Sequence, residues 1–195
     1  MSFQRIIYII FVSLFVSASA SGQVTDSLLM KISVCNSTDE KAQLYNQLLG
    51  VLYEENDDSL LFFSKHYFEF AEENGLPIHQ IYALEYQALY FDLYKSDYST
   101  SFQRYEQALE ICDKHGIDYK RDLYHGIGIL FHVSDDYEKA LRYYKLAIES
   151  TQNDPDFKKK ILTNMASIQS SLGNYDEAET LFLEAIDIDT ESIST

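Results

Sequence analysis

With 195 residues, 46% of them apolar and 14% aromatic, the chain is long enough to bury a substantial core and too apolar to remain disordered. Fifteen basic residues against 31 acidic ones leave a net charge of −16, which repels phosphate backbones and anionic lipid and argues against nucleic acid as a ligand. Only two prolines and seven glycines favour long helices over a sheet. Lys158-Lys159-Lys160 is the one basic run, and the acid excess reads as a solvated surface. Sixteen tyrosines and no tryptophan imply a core of rings with polar tips, suited to helix–helix seams.

Residues 1–20 read as a secretory signal peptide. Arg5 precedes an apolar run, Ile6 to Val16, and Ala18-Ser19-Ala20 is a small-residue cleavage pattern. Cleavage after Ala20 and cleavage after Gly22 both fit. The run is shorter than the roughly 20 residues that span a bilayer, and an uncleaved anchor is the alternative. The mature chain is therefore expected outside the bacterial cytoplasm, secreted or periplasmic. There Cys35 and Cys112 meet an oxidising compartment, either as a disulfide or, the favoured reading, as two buried thiols.

Asp26 is expected to cap a short N-terminal helix to about Val34, giving a capping segment at 25–36. Ser37 with Glu40 forms a capping-box pattern that opens the next helix, which runs to about Glu55 with Leu48, Leu49 and Leu52 on its apolar face. Asn56-Asp57-Asp58 turns the chain, and a helix from Ser59 to Asn74 follows, closed by Gly75 and Pro77. The second hairpin starts near Ile78, with Tyr86, Leu89, Tyr90 and Leu93 in its first helix, a turn at Ser96-Asp97 and an end before Gly116. The third opens at Asp118 and turns at Ser134 to Asp136, ending near Asn153. In the fourth, Pro155 sits in the first turn, Gly173-Asn174 makes the bend, and the last helix runs from Tyr175 to about Asp189. Gly50 and Gly128, late in the first helix of their pairs, would let the two helices of a hairpin touch.

A motif recurs in the second helices. Tyr98, Tyr137 and Tyr175 begin three copies 39 and 38 residues apart. The clearest are Tyr137, Ala140, Tyr144, Ala147 and Tyr175, Ala178, Phe182, Ala185, whose spacings of three and four lie on one helical stripe. Small residues between rings let a neighbouring helix approach. A period of this length marks a solenoid.

These residues resemble tetratricopeptide repeats. The third unit matches as Tyr124, Ile127, Gly128, Phe131, Tyr137, Ala140, Tyr144 and Ala147. The fourth matches as Leu162, Met165, Ala166, Gln169, Gly173, Tyr175, Ala178, Phe182 and Ala185. The second fits through Tyr98, Ser101, Tyr105 and Ala108. In the first, Leu49, Gly50 and Tyr53 fit, with Leu60 and Ser64 in place of the small residue and the ring. The resemblance implies an all-α, right-handed α-α superhelix of about four hairpins at 39–190, with units near 39–76, 78–117, 118–154 and 155–190 and a tail at 191–195. Signal peptide and long repeats together are similar to extracytoplasmic sensor regions of bacterial signalling proteins, so the alternative role is a sensory ectodomain regulating a membrane-bound partner.

In this family the ligand lies in the groove lined by the first helix of each hairpin. Carried over, that groove is Gln47, Val51 and Glu54; Gln87, Phe91 and Tyr94; His125, Ile129 and His132; and Thr163, Ser167 and Ser170. The basic clamp that grips a peptide carboxylate in some members is absent here. Phe91 and Tyr94 read either as apolar anchors for a peptide or as packing within the stack. His125 and His132 lie about 10 Å apart along one helix, too far for one metal, and read as groove-lining or packing residues. No nucleophile elbow, phosphate loop or metal motif appears, and neither catalysis nor a cofactor is expected. The expected partner is a protein or peptide, with membrane association only through a partner or an uncleaved signal. The exposed apolar end of the last helix offers a homodimer contact.

Overall fold

The computed structural model describes residues 20–55, 58–151 and 154–193. The signal segment read at 1–20 lies outside them except for Ala20, as do Asn56 and Asp57 of the first turn, Asn153, and Ser194 and Thr195 of the tail. Among the described residues there are nine α-helices and no strand: α1 (Ala20–Val34), α2 (Thr38–Glu54), α3 (Leu60–Glu73), α4 (Pro77–Lys95), α5 (Tyr98–His115), α6 (Lys120–Val133), α7 (Tyr137–Glu149), α8 (Pro155–Ser171) and α9 (Tyr175–Ile193). This is the all-α repeat fold expected, an N-terminal helix followed by four hairpins. The chain divides into two compact units within α4, the first ending at Tyr90 and the second starting at Phe91.

The helix boundaries follow from local chemistry. Ser37 accepts the Glu40 amide at 3.3 Å, Asp97 that of Thr100 at 3.0 Å, Asp136 that of Lys139 at 3.3 Å and Asp154 that of Phe157 at 3.0 Å, each satisfying a donor left over at a helix start. Within the second, third and fourth hairpins the turn is a left-handed residue followed by an Asx residue. These pairs are Ser96-Asp97, Asp135-Asp136 and Gly173-Asn174, with φ of 47°, 60° and 79° at the first position. The amide of the second residue returns to the last turn, as Asp136 N does to Phe131 O at 2.9 Å and Asn174 N to Gln169 O at 2.9 Å. Pro77 is the first residue of α4, so it opens the second hairpin besides ending the first.

Two boundaries differ from the sequence reading. The helix expected to start at Asp26 starts at Ala20, and Asp26 lies inside it, because nothing in Ser21-Gly22-Gln23 ends a helix. The last helix continues past Asp189 to Ile193, into the segment read as a tail.

The first unit is built on Tyr67, which is completely buried, stacks on Tyr45 at 5.3 Å and hydrogen-bonds His79 Nδ1 at 2.5 Å. Burial raises the Tyr67 phenol and lowers the His79 imidazole, so both are neutral at pH 7. In the second unit Phe131 stacks on Tyr143 at 5.7 Å with Phe102 beside both, and Tyr144 is completely buried.

The small-residue pairs run through the last three hairpins. Ser101 and Ala108, Ala140 and Ala147, and Ala178 and Ala185 are each 3% exposed or less. The first repeat departs from them as its sequence indicates. Its buried set, Leu60, Ser64, Tyr67 and Ala71, has the spacing of Ser101, Tyr105, Ala108 and Cys112, so Leu60 and Ser64 stand in place of the small residue and the ring. Leu93, read as part of an apolar face, is 51% exposed. Leucine at Ala140 would have no room at the seam, and Ala140→Leu is expected to cost about 1–3 kcal/mol in urea unfolding. An unchanged midpoint would show that the seam tolerates volume.

The glycines divide by role. A Cβ on Gly128 would lie 2.5 Å from two ring carbons of Tyr144, so this glycine does let α6 and α7 touch. Gly50 does not serve its own hairpin: its nearest foreign atom is the Tyr86 hydroxyl on α4, at an ordinary 3.5 Å. Gly126, not singled out from sequence, is a tight seam, since a Cβ there would meet the Tyr105 ring and hydroxyl at 2.8–3.0 Å.

Candidate partner-binding surface

The twelve residues carried over from the repeat pattern are distributed between the two units. In the first, Gln47 and Glu54 of α2 are exposed and Val51 is half-buried, while Gln87 of α4 is only 4% exposed. Gln87 therefore belongs to the core of its unit and cannot meet a ligand as the carried-over groove requires.

In the second unit, Phe91 and Tyr94 at the end of α4 are half-buried, and the Arg104 guanidinium lies over the Phe91 ring at 5.9 Å. His125 is 7% exposed, which removes it from the groove. Its ring lies 5.6 Å from Phe157 and 6.1 Å from Tyr144, and its Nε2 meets Asn164 Nδ2 at 3.3 Å. Burial, with a smaller contribution from Lys160, lowers the imidazole to about 4, so it is neutral at pH 7. One turn further along α6, Ile129 is 38% exposed. His132 is half-buried, its ring edge-on to Tyr137 at 6.0 Å.

His125 also shows that α6 and α8 are neighbours, through its contacts with Phe157 and Asn164 of α8. The α8 residues of the candidate face are Thr163 and Ser167, both exposed, and Ser170, half-buried; the Thr163 hydroxyl donates to the Lys159 carbonyl at 2.9 Å. The two helices are pinned at their starts by Arg121. Its guanidinium meets Asp154, the α8 cap, at 2.8 Å and lies over Phe157 at 4.8 Å. That pin was missed from sequence because its partners are 33 residues apart. The exposed Val133, next to His132, was missed as well.

Among the described residues no group of three or more His, Cys, Asp or Glu side chains is placed to hold a metal. Both cysteines are free thiols: Cys112 is buried and its pKa is pushed up to about 11 by burial, whereas Cys35 is partly exposed, not buried as expected. No helix among the described residues is long and apolar enough to cross a membrane.

The family described as "Tetratricopeptide repeat" matches residues 160–192. No curated protein matches the sequence. Among solved structures, BtubC (BKLC) from P. vanneervenii is similar at 17% identity with a TM-score of 0.71, over 90% of this chain and 74% of that one. A kinesin light chain from Podosopora anserina with nearly identical TPR-like repeats is similar at 10% identity and a TM-score of 0.62, over 97% and 90%. MamA from AMB-1 is similar at 11% identity and 0.52, over 95% and 93%. At these identities the likeness is one of fold. Residues 160–192 match the tetratricopeptide repeat, and the chain has the fold of tetratricopeptide-repeat solenoids.

Proposed function

We propose that the face formed by α6 and α8 holds a segment of a partner protein or peptide, in a chain exported to the periplasm or beyond it. The observation that carries this is Ile129. A branched apolar side chain stands 38% exposed between the buried His125 and the half-buried His132, on a helix whose other apolar residues lie mostly in the core. Thr163 and Ser167 add exposed hydroxyls on the adjacent helix, giving an apolar anchor with polar surroundings. Export is supported by Arg5, the apolar run to Val16 and Ala18-Ser19-Ala20.

Crosslinked affinity capture from native cells tests the face. The mature chain is compared with an Ile129→Lys, Ser167→Lys variant whose melting curve matches the parent, which both positions permit because they are exposed. A partner held by the parent and reduced ~10-fold or more in the variant, about 1.4 kcal/mol, supports the assignment. Equal capture by both refutes it. Mass spectrometry of the exported chain is expected to find Ser21 or Gln23 first, and recovery of the intact Met1 form from the cytoplasm would overturn the export reading.

A further inference from the structure

The last helix presents a second surface, independent of the α6–α8 face. In the third hairpin the stripe Tyr137, Leu141, Tyr144, Ile148 on α7 is covered by the helix that follows. Tyr144 is completely buried and the other three are half-buried. The Tyr137 and Tyr144 hydroxyls face Ser171 and Asn164 of α8, so the covering helix runs antiparallel along the stripe. On α9 the equivalent stripe is Tyr175, Glu179, Phe182, Ile186, and it is open: Tyr175 is 70%, Phe182 39% and Ile186 55% exposed. The small residues behind it, Ala178 and Ala185, are buried as in α7.

The open stripe is also wider than its predecessors. Glu106 and Lys145 hold one position in α5 and α7, both exposed and charged; in α9 the residue there is Leu183, 53% exposed. Around this apolar stripe α9 is acidic along its whole length, with no Lys, Arg or His between Tyr175 and Ile193. Glu184 already pairs with Lys158 of α8 at 2.8 Å, which shows the kind of cation the helix accepts.

We propose that the Tyr175–Phe182–Leu183–Ile186 face of α9 docks an amphipathic helix with basic flanks from another protein, seated antiparallel as α8 is seated on α7. Charge decides against a second copy using its own α9, because two acidic helices without a cation would repel across the contact. The helix that covers α7 has this amphipathic and basic character and serves as a probe of it. α8 carries Lys158-Lys159-Lys160 ahead of the apolar Ile161, Leu162, Met165 and Ile168.

A capped, labelled peptide of residues 155–171 serves as the probe, with fluorescence anisotropy as the readout. The full mature chain is expected to bind it, and a Leu183→Glu, Ile186→Glu variant with an unchanged melting curve to bind at least ~10-fold more weakly. A peptide with Lys158, Lys159 and Lys160 changed to Glu is expected to lose binding by a similar factor, as is the native peptide at high salt. Absence of binding overturns the proposal, as does equal binding to parent and variant, which would place the peptide elsewhere on the fold. Sedimentation covers the other occupant: a parent dimer made monomeric by Leu183→Glu would show that the face takes a second copy instead.

Discussion

Tyr144→Ala is expected to cost about 3–5 kcal/mol of unfolding free energy, the range for removing a fully buried aromatic ring. The ring fills the seam that Gly128 opens between α6 and α7, and it lies beside His125. Alanine leaves a hole whose walls are three helices pinned by their turns and by Arg121, so collapse recovers little. In a chain of this size the loss corresponds to a fall in Tm of roughly 6–20 °C. Gly128 sharpens the test. In the parent, Gly128→Ala gains about 1 kcal/mol of helix propensity but drives a methyl to 2.5 Å from a ring that cannot retreat, which costs about 1–3 kcal/mol and makes the change net destabilising. With Tyr144 already alanine the obstacle is gone and the same substitution is expected to stabilise. A Gly128→Ala effect of one sign in both backgrounds would mean that the two residues do not share the seam.

What could be read ahead of the structure was what is local. The cap at Ser37 depends on a side chain reaching an amide three residues on, the turns at Ser96-Asp97 and Ser134 to Asp136 on residues that break a helix, and the stripe of Ala140, Tyr144 and Ala147 on helical geometry alone. Contacts between hairpins are set by which side chain of one repeat meets which backbone of the next. Gly126 against Tyr105 and Arg121 against Asp154 join residues 21 and 33 apart with no periodic signature of their own. The first repeat keeps the spacing of the second, with Leu60, Ser64, Tyr67 and Ala71 buried as Ser101, Tyr105, Ala108 and Cys112 are, although its residue types differ.

The candidate face was harder to read for a related reason. Residues at equal offsets in successive repeats differ in exposure when the neighbouring helix brings a different side chain. His125 is buried because Phe157 and Asn164 close over it, and Ile129 stays open one turn later. Gln87 is lost to the core of its unit in the same way. An offset rule carries the backbone position from repeat to repeat; it does not carry the partner that decides whether the side chain meets solvent.

That burial makes stability sensitive to acid. His125 is lowered to about 4 from an ordinary 6.5, by burial first and by Lys160 second. Well above pH 6.5 the imidazole is neutral in both folded and unfolded chains and contributes no pH dependence. As pH falls from 6.5 towards 4 the unfolded chain takes up the proton and the folded one does not, so stability drops, by about 3 kcal/mol once pH 4 is reached. His79, also lowered by burial, adds to the loss with the same sign. Asp92, raised by burial, acts oppositely, while Asp97, Asp136 and Asp154 are held low by their hydrogen bonds and matter only below the ordinary carboxylate range. The neutral ring accepts the Asn164 amide at Nε2, so protonation sets donor against donor unless that amide turns over. His125→Gln keeps a polar partner for Asn164 without a titrating group. Urea unfolding between pH 7 and pH 4.5 is therefore expected to show a shallower decline in this variant than in the parent, with the two curves separating as pH falls through 6.5. Parallel curves across that window would place the His125 ring in contact with water, and with it would go the closed α6–α8 seam from which Ile129 emerges.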